Sequence, residues 1–279
     1  MMLPDGEKQR SIRNEMEPSQ ARATWDLEEI AQLLQYEGWA YLRGALSVAE
    51  AQTILERMES VWNDESLWDQ NEERDYFRGG VSVMRLFEHD KIFADLANIS
   101  DIVRIVRSIL GGDCHLVSQN GLRSRKGQGI VRWHIDDALF FPRAMNSGRS
   151  WDSISLPTYS LSVMFALSDI DDVSDGPTQV VPKSHRSGEH PPKNPNPNEV
   201  HSITAKAGDA YIFNSQIWHR GAQIFSEKQR YVVTNTYGRR FLSQRFFPFV
   251  DYKLPSYINT SSDAELRRLF GCHGKGPYG

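Results

Sequence analysis

Ile130-Val131-Arg132-Trp133-His134-Ile135-Asp136 is the stretch that commits this chain to a fold. In an extended strand Arg132, His134 and Asp136 share one face while Val131, Trp133 and Ile135 share the other. An imidazole and a carboxylate therefore point the same way from a segment whose opposite face is apolar. Such a pair supplies two of the three protein ligands of a facial two-histidine, one-carboxylate metal site, provided a second histidine arrives from elsewhere.

Outward from this stretch, the chain beyond Gly112 breaks into short β-like runs divided by turns: residues 115–122, 129–136, 159–167, 178–181, 200–205, 209–214 and 230–237. That texture predicts a mainly β domain, a sandwich or jelly-roll barrel. Upstream, the pattern is helical. Leu27, Ile30, Ala31 and Leu34 form one stripe after a cap at Thr24, and Gly38 ends it. A second helix starts from Ser47, with Ile54, Leu55, Met58, Val61 and Trp62 on one side. Residues 92–110 read as helix broken near Ser100-Asp101, and residues 63–80 as a charged loop. Near the C-terminus a helix is expected over residues 262–270, capped by Ser261 or Ser262 and stopped by Gly271. Residues 1–23 read as a mobile polar arm, and 24–279 as a single domain.

Bulk composition narrows the function classes. Of 279 residues 39% are hydrophobic and 24% charged, and a net charge of −4 leaves no nucleic-acid footprint. No run reaches the roughly 18 apolar residues of a membrane span. The polar N-terminus lacks the apolar centre of a signal peptide, so a soluble cytoplasmic protein acting on a small molecule is expected. Cys114 and Cys272 belong to no CxxC pair, which argues against a disulfide framework or structural zinc. Oligomeric state is not legible.

The missing histidine has a matching block. Gly208-Asp209 opens a strand, a loop follows, and Trp218-His219-Arg220-Gly221 stands at its end. Arg230 then begins a strand whose alternate members are Val232, Thr234 and Thr236. A guanidinium there suits bidentate pairing with a carboxylate.

The order His134-x-Asp136, Asp175-Gly176-Pro177-Thr178-Gln179-Val180-Val181-Pro182-Lys183-Ser184-His185, Gly208-Asp209, Trp218-His219 and Arg230 resembles the phytanoyl-CoA dioxygenase (PhyH-like) family of iron and 2-oxoglutarate dependent oxygenases. The resemblance runs from about Gly38 to the C-terminus. It implies a double-stranded β-helix core, cupin-like, with N-terminal helices packed on it. It further implies that His134, Asp136 and His219 bind Fe(II), that Arg230 pairs with the distal carboxylate of 2-oxoglutarate, and that Thr178 lies near the cosubstrate. His185 corresponds to the motif's terminal histidine and is expected to be structural. Lys183 stands where the family more often has Gly. Three protein ligands would leave positions for the cosubstrate's chelating end and for O2. The implied chemistry is oxidation, foremost hydroxylation, of a C–H bond with release of succinate and CO2. Related iron halogenases carry a small residue at the carboxylate position, so Asp136 favours non-halogenating oxidation, with desaturation or ring formation still open.

Two other classes fit parts of the pattern: a cupin-type isomerase or hydrolase with a different divalent metal, and a non-catalytic jelly-roll binding module. Residues 140–158 mix prolines and glycine with aromatics and read either as a lid over the pocket or as a surface insertion. Substrate contacts are expected from Phe140, Phe141, Arg143 and Trp151 there and from Trp218 beside the ligand. They suit a moderately apolar metabolite with a polar or anionic handle.

Overall fold

The computed structural model describes residues 25–64, 82–136, 157–246 and 252–276. Among them, nine strands form two antiparallel sheets. The larger sheet joins β1 (Trp39–Leu42), β7 (Ala210–Asn214), β4 (Ser160–Ala166), β9 (Arg230–Gly238), β3 (His115–Ser124) and β2 (Ser82–Met84), in that order. The smaller joins β6 (His201–Ile203), β5 (Thr178–Val181) and β8 (Trp218–Gly221). Neighbours in the sheets are distant in sequence, as in a jelly roll.

Alternation along the central strands sorts the larger sheet into two faces. Leu161, Val163 and Phe165 of β4, Val233 and Tyr237 of β9, and Ala210 and Ile212 of β7 enter one apolar cluster. That cluster also contains the buried stripes of helices α1 (Leu27–Tyr36), α2 (Val48–Asn63) and α4 (Ser100–Leu110). The intervening residues Met164, Ala166, Tyr211, Phe213 and Val232 face the smaller sheet and form a second cluster with Val180 and Ile203. Helices thus cover the outer face and leave the inner face for chemistry.

Local signals explain most boundaries. Ser47 and Glu50 form a capping box at the start of α2. α3 (Lys91–Leu96) and α4 are separate helices, the break falling at Ala97–Ile99. α1 is capped by Asp26, whose carboxylate accepts from the Glu28 and Glu29 amides, two residues after the expected Thr24, which lies outside the described residues. α6 (Ala264–Leu269) is capped by Asp263 instead of Ser261 or Ser262, and a short helix α5 (Ser256–Asn259) precedes it. In both corrections an acidic side chain one or two residues further on takes the cap, where its charge also meets the positive helix end.

The segment expected as a strand over 129–136 is corrected too: it holds one isolated β-bridge, His134 to His219. Alternation holds only from Arg132 to Asp136, where Trp133 and Ile135 are buried and Arg132, His134 and Asp136 are not; Val131, expected on the buried face, is exposed. Gly129 lies close enough to β8's exit that a Cβ would stand 2.7 Å from the Ala222 carbonyl oxygen. Residues 1–23 and most of 63–80, the expected arm and loop, lie outside the described residues. No described helix is long and apolar enough to cross a membrane.

Candidate active site

His134 and His219 meet where the two segments exchange backbone hydrogen bonds, His134 N to His219 O and His219 N to His134 O, both 3.0 Å. Each imidazole points Nδ1 at a carbonyl two residues earlier: Arg132 O at 2.8 Å and Ile217 O at 2.9 Å. Since a carbonyl only accepts, Nδ1 carries a proton in both rings, which makes Nε2 the nitrogen that offers a lone pair when the ring is neutral. Both Nε2 atoms turn toward Asp136 Oδ1, at 3.6 and 3.5 Å. All three ligand atoms lie within 4.8 Å of one another.

Asp136 is held from two directions. Its amide donates to Ser215 O at 2.8 Å, and Ser162 Oγ donates to Oδ2 at 3.3 Å. Ser162 in turn bonds Thr236 Oγ1, at 3.1 Å, on the neighbouring strand. The Phe213 ring lies 4.7 Å from that of His219 and closes one side. Burial opposes ionisation of Asp136, but His219, His134 and Arg245 outweigh it and hold the carboxyl well below the usual range. Burial, seconded by His219, lowers the His134 pKa. A divalent metal requires an ionised carboxylate and imidazoles able to offer a lone pair, and the lowered Asp136 and His134 pKa values favour both. The donor set of two imidazoles and one carboxylate fits iron.

Arg230 lies on the same inner face, at the start of β9, and is buried. Nη1 donates to Gly176 O at 2.9 Å and Nη2 to Thr178 Oγ1 at 3.1 Å, while Nε has no protein partner. Thr178 is itself bonded to Tyr211 Oη at 2.8 Å. The guanidinium is thus oriented by fixed neighbours, with an unmatched donor to spare.

Other expectations fare differently. Phe140, Phe141, Arg143 and Trp151 lie outside the described residues. Trp218 alternates away from His219, and its indole donates to Glu189 O at 2.9 Å, tying β8 to the loop before β6 on the side opposite His219. His185 is buried, its Nε2 at 3.1 Å from Gln35 O, packed where a Cβ on Gly38 would stand 2.4 Å from Nδ1. Ser162, Tyr211 and Asp175 carry no assigned role in the sequence reading. That of Tyr211 was recoverable from strand parity, because it alternates with Asp209 of the motif; that of Ser162 was not, because its strand carries no residue of the motif.

The phytanoyl-CoA dioxygenase (PhyH) family profile matches residues 34–232. The chain belongs to that family. Membership places this PhyH chain among the iron and 2-oxoglutarate dependent oxygenases, and its antiparallel jelly-roll architecture agrees. It is 24% identical over 266 residues to the uncharacterized protein Rv1501 of Mycobacterium tuberculosis, covering 93% of this chain and 92% of that one. It is 22% identical over 257 residues to dioxygenase af480 of Aspergillus fumigatus, covering 88% and 77%. Among solved structures it is similar to HygX of Streptomyces hygroscopicus with nickel and 2-oxoglutarate bound, at TM-score 0.61 and 19% identity, covering 77% of this chain and 88% of HygX. HygX has also been solved with hygromycin B.

Proposed function

We propose that His134, Asp136 and His219 bind Fe(II), that Arg230 with Thr178 holds the distal carboxylate of 2-oxoglutarate, and that the enzyme hydroxylates a C–H bond of a small-molecule metabolite. Convergence of two Nε2 lone pairs and one carboxylate oxygen, on the same face as a buried pre-oriented arginine, carries this conclusion. When bound, iron, 2-oxoglutarate and O2 together supply the oxidation, one oxygen atom entering succinate as CO2 leaves and the other entering the substrate.

The chain's residues prepare that chemistry. Asp136 stays ionised, Arg132 and Ile217 carbonyls fix both histidine tautomers, and Ser162 restrains the carboxylate's second oxygen. Arg230 offers charge at the far end, where Gly176 and the Tyr211-backed Thr178 keep it from swinging toward the metal ligands. HygX, solved with a small molecule, makes a small-molecule substrate the natural class here. Phe140, Arg143 and Trp151 remain its proposed contacts, and Trp218, turned away, is not among them. We take residues 24–279 as one catalytic domain and place the reaction in the cytoplasm, where reducing conditions keep iron ferrous.

Anaerobic titration of Fe(II)-loaded protein with 2-oxoglutarate tests the core of this. A weak metal-to-ligand charge-transfer band toward the red end of the visible spectrum is expected; Arg230→Ala should weaken cosubstrate binding and His219→Ala should remove the band. A well-folded, iron-loaded protein showing no band would instead fit a cupin-type isomerase or hydrolase or a binding module. Substrate-coupled succinate formation, with a product gaining one oxygen, distinguishes hydroxylation from desaturation, where two hydrogens are lost.

A further inference from the structure

Asp175 is a carboxylate that the proposed chemistry does not use, yet its side chain is only 4% exposed. It closes the 3-10 turn Val173–Asp175, directly before Gly176, whose carbonyl accepts from Arg230. Its Oδ2 accepts from the Asp171 amide at 2.9 Å and from Lys228 Nζ at 2.9 Å. Lys228 lies two residues before Arg230. The same two segments are joined again by Ser174 O, which accepts from the Phe225 and Ser226 amides at 2.8 and 3.0 Å. Gly176 sits at φ +71, and a Cβ there would stand 2.4 Å from Ile224 and 2.9 Å from the Ala222 carbonyl oxygen, so the turn packs directly against the chain leading to Lys228 with no space for a side chain.

One ion pair therefore staples both supports of the arginine: the turn that presents the Gly176 carbonyl, and the chain that leads into β9. We infer that Asp175 and Lys228 are positioning residues that hold the Arg230 guanidinium in register for the distal carboxylate of 2-oxoglutarate. Burying a carboxylate is costly unless it is paired, which a merely solvated surface turn would not require. Lys228 also reaches Asp171 at 2.8 Å, and Lys206 bridges Asp171 and Asp169, so the staple is the inner end of a charged chain running out to solvent. The inference rests on the assignment of Arg230 to the cosubstrate.

The test is anaerobic charge-transfer titration of Fe(II)-loaded protein with 2-oxoglutarate and with 2-oxopentanoate, which has a methyl group where the cosubstrate has its distal carboxylate. Asp175→Asn and Lys228→Met should each weaken 2-oxoglutarate binding by about tenfold, a share of what a charge-assisted hydrogen bond contributes. Both should leave 2-oxopentanoate binding and iron content unchanged, and Lys228→Arg should restore 2-oxoglutarate affinity. Lys228 is half exposed, so its variant carries the test if Asp175→Asn does not fold. Unchanged 2-oxoglutarate affinity, or equal weakening of both oxo acids, overturns the inference. If Arg230→Ala separates the two acids and the staple variants do not, only the staple fails. If Arg230→Ala does not separate them, the cosubstrate assignment fails and the staple with it.

Discussion

Lys183 shows how a single side chain can sit against its backbone. The family more often has Gly at this position, and the chain here adopts φ +69, a left-handed conformation that an L side chain enters at a penalty of about 1–2 kcal/mol. The conformation is imposed from both sides: the Lys183 amide donates to Glu37 O at 2.9 Å, and Ser184 and His185 must turn immediately after it. In return Lys183 Nζ lies 3.5 Å from Glu37, an ion pair with a lysine 65% exposed, too solvated to offset the backbone. Lys183→Gly should therefore stabilise the protein by about 1 kcal/mol, less the extra freedom glycine has when unfolded. Thermal denaturation reads this directly, and a lowered melting temperature would mean that the lysine contact outweighs the strain. At this scale the sequence spoke clearly about chemistry: His134, Asp136 and His219 come together from separate segments. It was silent on what Asp175 does, because a turn aspartate is common and its burial depends on Lys228 and on a glycine packed against Ile224.

β3 illustrates what an element adds. His115 opens it, buried; its Nε2 lies 2.8 Å from Leu242 O, and its Nδ1 lies 3.2 Å from His273 Nε2 in the C-terminal segment. Because the carbonyl can only accept, Nε2–H donates to Leu242, and Nδ1 is left to accept from His273. Burial, reinforced by His273, Arg240 and Arg268, pushes the His115 pKa down to about 4 from an ordinary 6.5. The unfolded chain therefore binds a proton that the folded chain resists. Stability is complete above about pH 6.5, falls as pH drops toward about 4, and levels off below, a span of about 3 kcal/mol to order of magnitude. Burial lowers His273 as well, adding in the same direction. Urea midpoints measured from pH 7 to 4 should decline, and decline less steeply in His115→Gln; equal slopes would remove His115 as the cause. Elements with two-residue alternation, such as β4, β7 and β9, were legible from sequence to within a residue or two. β8 was not, being four residues long and carrying a buried histidine where an apolar residue would signal a strand. The 129–136 segment looked like a strand for the complementary reason: from Arg132 to Asp136 it keeps the alternation of one but forms only the His134 bridge.

Across the whole molecule, stability and chemistry occupy opposite faces of the larger sheet. On the outer face Phe87 is fully buried, with the rings of Phe246 and Phe270 packed edge-on at 5.0 and 4.9 Å. On the inner face lie Ser162, Thr236 and Arg230 with the histidine and aspartate cluster beyond them. Neither face shares side chains with the other, because successive residues of a strand diverge. Removing Phe87 should therefore lower global stability without reshaping the site. Phe87→Ala is expected to cost about 3–5 kcal/mol, the range for a large buried aromatic. Saturating Fe(II) stabilises the folded state by an increment set only by metal concentration and affinity, so that increment should be the same in variant and parent. Anaerobic urea unfolding with and without Fe(II) measures both quantities. A normal increment on a weakened fold is the outcome that separate faces require, whereas an increment that shrinks with the Phe87 side chain would show that the helical layer holds the metal ligands in place.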